Sequence, residues 1–228
     1  QITNRQGTKI HSAKHKKLKY PCTVLEDTLK STELFGIETR MILAGNIENS
    51  VFPKIIDYVI DGCRLLVYQE YTEYRFLDEY LSAVGMSEDT VISWMVDFVQ
   101  AIAILYKSNI AFRDFARGSV VVTSENRLKL LRAYHPYYGY VAVKEENRYY
   151  YFEKQLQEIA ILLSELCTGK EPILPIGIIE DNRFSKKFLL KVNLIIQKCV
   201  KENGSEAVEF KDIDELKGAY RKLLAERI

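Results

Sequence analysis

The sequence predicts an α+β chain in which a small β-rich part with one helix precedes a larger, mainly helical part. Three observations carry this expectation. Two β-rich runs, Lys54–Ile60 and Arg64–Glu70, flank Asp61-Gly62, and Asp-Gly between such runs is the strongest short hairpin signal. Apolar residues recur at helical spacing over Ser87–Ser108, the longest such stretch in the chain. The character of the sequence changes near Glu70–Tyr74, which reads as a hinge between lobes of about 1–70 and about 74–228 within a single domain spanning 1–228.

The elements follow in order. Ser12 to Asp27 alternates short apolar and polar stretches and ends in Cys22-Thr23-Val24-Leu25, which suits strands. Between Thr28 and Asn46, Leu29, Leu34, Ile37, Met41, Ile42 and Leu43 fall at helical spacing. After the hairpin, Phe76–Val84 reads as a short helix. The long helix that follows opens on Ser87, an N-cap residue, with Glu88 and Asp89 at the positive end of its dipole. Ser119–Thr123 and Arg127–Leu131 read as strands joined by the polar turn Ser124-Glu125-Asn126. Helices are expected at Phe152–Cys167, closed by Gly169, and at Ser185–Glu202 and Asp212–Arg227.

Composition bounds the function classes. The chain has 228 residues, 47% hydrophobic and 28% charged, with a formal net charge of +1. That balance gives no general attraction to nucleic acid or membrane. A local exception is Lys9, Lys14, Lys16, Lys17 and Lys19, interleaved with His11 and His15, which fits a solvated hairpin better than a polyanion site. No run approaches the roughly 18 apolar residues of a membrane-spanning helix, and no signal peptide is legible. The four cysteines, Cys22, Cys63, Cys167 and Cys199, have no CxxC spacing and read as reduced residues of a cytoplasmic protein. The chain begins at Gln1 and not Met, so a segment of a longer polypeptide is expected.

The motifs then resemble a known family. Leu105-Tyr106-Lys107-Ser108-Asn109-Ile110-Ala111-Phe112-Arg113-Asp114 is similar to the end of a protein kinase's long helix running into its His-Arg-Asp catalytic loop. Val120-Val121-Val122 and Arg127-Leu128-Lys129-Leu130-Leu131 follow at the family's spacing. Leu66-Val67-Tyr68-Gln69-Glu70-Tyr71 resembles the strand entering the hinge, and Glu165-Leu166-Cys167-Thr168-Gly169-Lys170-Glu171-Pro172 resembles the family's Glu-Leu-x-Thr-Gly-x-x-Pro. Ile10-His11-Ser12-Ala13 and Cys22-Thr23-Val24-Leu25 lie on the second and third strands. The resemblance covers nearly the whole chain and implies the bilobal protein kinase-like fold.

The resemblance also identifies what phosphoryl transfer would need: a glycine-rich loop, a lysine paired with a helix glutamate, an Asp to position the acceptor, and an Asn and a second Asp to hold magnesium. The loop, Thr3 to Ile10, has one glycine, Gly7. The lysine position falls on Thr23, unless a register slip recruits Lys19 or Lys30. The helix glutamate is Glu38, either a solvated charge or one re-paired elsewhere. Arg113 and Asp114 match the family, whereas the usual His is Phe112, the catalytic-loop Lys is Ala116 and the magnesium-binding Asn is Ser119. Asp-Phe-Gly is replaced by Arg132-Ala133-Tyr134, and a guanidinium cannot ligate a hard cation. Beyond it, His135–Phe152 contains no Ala-Pro-Glu, and the Asp that anchors the next helix is Gln155. Gln69 stands at the back of the implied pocket.

Two altered regions suggest positive roles. Arg132 is expected either to pair with Glu38 or Asp114 or to be an exposed arginine after a strand. Tyr137, Tyr138, Tyr140, Tyr149 and Tyr150, with Tyr151, form either an interaction surface or an ordinary covering of the helical lobe. Three functions follow: a catalytically inactive pseudokinase that binds a partner protein, such as an active kinase or another domain of its own polypeptide; a switch that binds nucleotide without metal; and an enzyme of rearranged chemistry using Asp114. The first expects signalling by scaffolding or allosteric regulation, without cofactor or metal. Oligomeric state is open, and a dimer is compatible.

Overall fold

The computed structural model describes all residues except 1, 6–7, 15, 17–18, 84–85, 113–116, 136–138, 201–209 and 226–228. It divides into two compact units, 1–77 with 112–141, and 78–111 with 142–228. The segment 112–141 therefore belongs to the first unit, whereas the sequence reading placed it in the second lobe.

The first unit holds a five-stranded antiparallel sheet in the order β1-β2-β3-β5-β4. Its strands are β1 (Ile2–Arg5), β2 (Thr8–Lys14), β3 (Pro21–Thr28), β4 (Ile55–Asp61) and β5 (Arg64–Glu70). The β4–β5 hairpin forms where Asp61-Gly62 predicted it. Gly62 takes φ 59°, a left-handed backbone that glycine adopts freely. Strand alternation sends Thr23, Leu25 and Asp27 to one face of β3 and Cys22, Val24 and Glu26 to the other.

The single helix expected over Thr28–Asn46 is two, α1 (Ser31–Leu34) and α2 (Ile37–Gly45). Gly36 lies between them at φ 74°, outside the helical region, so the first helix cannot continue. Ile37 and Met41 of α2 reach a core shared with Ile10, Leu25, Leu65 and Val67 of the sheet. A second sheet of this unit, in the order β6-β8-β9, contains β6 (Tyr74–Phe76), β8 (Val120–Thr123) and β9 (Leu128–Leu130). Its Val121, with Leu131 and Tyr134 beyond, completes the same core. The strand β7 (Ile110–Phe112) precedes β8 in the chain, and β10 (Tyr140–Ala142) follows β9.

The second unit is helical: α3 (Leu77–Ala83), α4 (Glu88–Lys107), α5 (Arg148–Thr168), α6 (Lys186–Cys199) and α7 (Ile213–Ala225). Ser87 caps α4 by accepting from the Thr90 N–H, and Gly169 closes α5 at φ 72°. Its 20-residue α4, with a mean hydropathy of 1.3, is long and apolar enough to cross a membrane by length and composition, which the sequence reading did not expect. Its apolar residues, Trp94, Phe98 and Leu105 among them, are buried in the unit, where α4 packs on α5 and α7, as in the central helix of a globular core. Cys22, Cys167 and Cys199 are buried, and Cys63 is exposed in the β4–β5 turn.

Candidate functional site

The strand β3 contains no lysine, because Pro21–Thr28 reads Pro-Cys-Thr-Val-Leu-Glu-Asp-Thr. A slip of register within it cannot supply one. Lys19 lies before the strand and Lys30 after it, both exposed. Thr23 is buried opposite Gln69 of β5, and the Gln69 amide oxygen has no hydrogen-bond partner among the described residues. Glu38 is exposed on α2, the solvated of the two alternatives drawn from sequence.

The inward charge on β3 is a carboxylate. Asp27 follows Thr23 and Leu25 on the inner face and is 2% exposed. Thr8 Oγ1 and Tyr134 Oη both donate to it, the latter at 2.8 Å, and the Arg132 guanidinium lies 3.3 Å from its Oδ1. Thr8, Arg132 and Tyr134 are buried as well. A buried carboxylate is tolerated when hydrogen bonds and an opposite charge replace its water, and Asp27 has both. Arg132 is therefore not an exposed arginine, and the partner seen here is Asp27, which the sequence reading did not name. Alternation carried the signal: if Leu25 faces inward, so does Asp27.

Arg132 adopts φ 62°, a left-handed conformation that costs an L-residue about 1 kcal/mol. Tight packing of the following turn holds it. His135 N–H donates to Arg132 O at 2.9 Å, Gly139 N–H to His135 O at 2.7 Å and Tyr140 N–H to Ala133 O at 2.7 Å. A Cβ on Gly139 would lie 2.2 Å from Ala133 O, so only glycine fits. Burial, and then the Arg132 charge, push the His135 imidazole down to about 4. Burial and then the Asp27 carboxylate raise the Tyr134 phenol well above its ordinary range.

The other altered positions have structural employment. Phe112 is buried with its ring 5.7 Å from Phe52 and 5.0 Å from Tyr140, the packing role that an apolar residue there suits. Ser119 is buried at the end of a 3-10 turn and its carbonyl accepts from Leu131 N–H at 2.8 Å. Ala133 is buried in the turn after Arg132.

One expectation is corrected: Tyr140 is no surface residue. It is 1% exposed, with its ring 5.5 Å from Phe52 and 5.0 Å from Phe112, because an aromatic at the start of β10 fills the core more favourably than it meets water. Tyr149 and Tyr150 are exposed near the start of α5. Gly7, Arg113, Asp114, Ala116, Tyr137 and Tyr138 lie outside the described residues.

Among the described residues, the donor set at the motif positions does not fit a divalent cation. The positions that hold magnesium in the family carry the Ser119 hydroxyl and the Arg132 guanidinium, and the latter is positively charged and committed to a carboxylate. Among the described residues no group of His, Cys, Asp and Glu is arranged to hold a metal ion.

No protein-family model matches the chain, and no curated protein matches it. Among solved structures, a double mutant of the PknI kinase domain of Mycobacterium tuberculosis superposes at a TM-score of 0.75, covering 98% of this chain and 94% of that one at 10% identity. The unmutated PknI kinase domain superposes at 0.71, covering 97% and 94%, also at 10% identity. Identity this low speaks to the fold alone, and on that ground the chain has the protein kinase-like fold.

Proposed function

We propose that this domain is a pseudokinase: a kinase-like fold that transfers no phosphate and acts by binding a partner protein. The observation that carries the reading is the buried Asp27–Arg132 pair. In the family the third strand supplies a cation and the Asp-Phe-Gly position an anion. Here the third strand supplies the anion, Asp27, and the Asp-Phe-Gly position the cation, Arg132. The inversion keeps the buried pair neutral overall while removing both the charge that holds phosphate and the charge that holds metal. Thr23 stands at the lysine position itself, and Ser119 replaces the magnesium-binding Asn in the same sense.

A metal-free nucleotide switch would use the pocket walls, with Arg132 meeting a phosphate directly. Its burial at 3% exposure and its carboxylate partner weigh against that use. The partner is an active kinase or another domain of the same polypeptide, in the cytoplasm.

A thermal-shift titration with ATP, with and without magnesium or manganese, tests the proposal. The expected result is a flat melting temperature under all conditions. A rise that depends on metal, accompanied by transfer of γ-phosphate label to any acceptor, would refute it.

A further inference from the structure

Lys14, at the end of β2, and Lys16, between β2 and β3, flank a cavity of about 410 Å³ on the outer side of the five-stranded sheet, entirely within the first unit. Its floor is apolar: Ala13 of β2, Cys22 of β3 and Tyr68 of β5 lie there. Ile56 and Val59 of β4, 41% and 43% exposed, form one wall, and Tyr20 contributes from the hairpin. Apolar surface left open on a soluble domain marks a contact site more often than chance, and the volume lies in the range of binding pockets.

Charge decides what fits. Two other basic residues of this sheet are already engaged: Lys9 and Arg64 converge on Glu26, at 3.4 and 3.2 Å. Lys14 and Lys16 line the cavity, are exposed, and have no carboxylate partner among the described residues. Across the cavity stands Asp57, whose Oδ1 accepts from the Tyr58 N–H. An occupant therefore needs an anion at the hairpin end, an apolar body over the floor, and a hydrogen-bond donor for Asp57. A peptide supplies all three, as an acidic side chain, an apolar side chain and a backbone N–H. A fatty acid would set its tail against a carboxylate.

We infer that this cavity docks a segment of a partner protein in which acidic and apolar residues alternate, the acidic side chain lying between Lys14 and Lys16. The inference rests on the partner-binding reading above and gives that partner a chemistry. Complementary charge at the rim selects such a segment against neutral or basic ones.

The test uses fluorescein-labelled peptides of one length that alternate Leu-Glu, Leu-Gln, Leu-Lys or Ser-Glu, with anisotropy as the readout. Leu-Glu is expected to bind at least roughly ten-fold tighter than the other three, the discrimination that about 1.4 kcal/mol provides. Lys14→Glu with Lys16→Glu should remove that preference and favour Leu-Lys. Ala13→Phe should block binding by filling the floor without changing charge. Circular dichroism checks that both variants fold; the lysine pair is exposed, so its substitution leaves the core intact. Equal binding of Leu-Glu and Leu-Gln, equal binding of Leu-Glu and Ser-Glu, no binding of Leu-Glu, or indifference to the lysine substitutions would each overturn the inference. These outcomes are independent of the ATP titration, so a metal-dependent rise there would defeat the inactive reading and leave this result standing.

Discussion

Replacing Asp27 by Asn removes the charge that faces Arg132 while keeping size and one acceptor oxygen, enough for one of Thr8 and Tyr134, which donate to different oxygens. Both charged groups are nearly inaccessible, at 2% for Asp27 and 3% for Arg132, so water cannot take over the lost partner. Breaking a buried pair from one side costs about 3–5 kcal/mol, and the retained acceptor puts Asp27→Asn near the lower end. For a chain of this length about 3 kcal/mol lowers the melting temperature by roughly 10 °C. Arg132→Met should cost about as much, because Asp27 then keeps only its two hydroxyl donors. Methionine suffers the same left-handed backbone as arginine, so the strain at φ 62° cancels from the comparison. In the double variant neither charge remains, and the total loss should be about 2 kcal/mol smaller than the sum of the single losses. The assay is urea unfolding of the four proteins, repeated in about 1 M salt, where a buried pair should keep its coupling and a surface pair would lose it. Additivity within about 0.5 kcal/mol would refute the claim that these residues form a coupled buried pair.

Two further expectations concern the turn behind Arg132. Burial and the Arg132 charge hold the folded pKa of His135 at about 4, below the ordinary 6.5, so the unfolded chain takes up the proton first as pH falls. The stability this provides is complete above about pH 6.5 and is lost progressively toward pH 4, by about 3 kcal/mol, and urea titrations across that window should flatten in His135→Gln. Gly139→Ala would force a methyl to within 2.2 Å of Ala133 O and 2.6 Å of both His135 N and His135 O, all of them backbone atoms. Calorimetry should record a loss of at least about 3 kcal/mol, and a loss below about 1 kcal/mol would mean that the turn is not packed as described.

The helices and strands were legible because their signals are local. Ser87 and Gly169 mark the ends of helices through their own capping chemistry, and Asp61-Gly62 marks a hairpin through the one backbone conformation glycine adopts freely. The break at Gly36 was missed because the apolar spacing runs across it unbroken, and spacing alone cannot register one residue at φ 74°. An arginine, Arg132, where the resemblance expects a carboxylate was equally legible, since it depends on residue type at a motif position.

Tertiary structure decided what those residues do. Asp27 and Arg132 are 105 residues apart, and nothing in either segment names the other. Their meeting follows from the register of β3 in the sheet and from the turn that Gly139 closes, both set by long-range packing. Tyr140 likewise looks like any surface tyrosine in a tyrosine-rich stretch, and only the rings of Phe52 and Phe112 around it make it core. The lysines of the β2–β3 hairpin read as a solvated run, because their sequence neighbours are polar, and the apolar floor beside Lys14 and Lys16 is assembled from β2, β3 and β5. Sequence by itself determined which local structures form and which residue types stand at the motif positions. Tertiary structure decided which charges are buried and paired and which stay exposed, because burial and pairing depend on residues that only folding brings together.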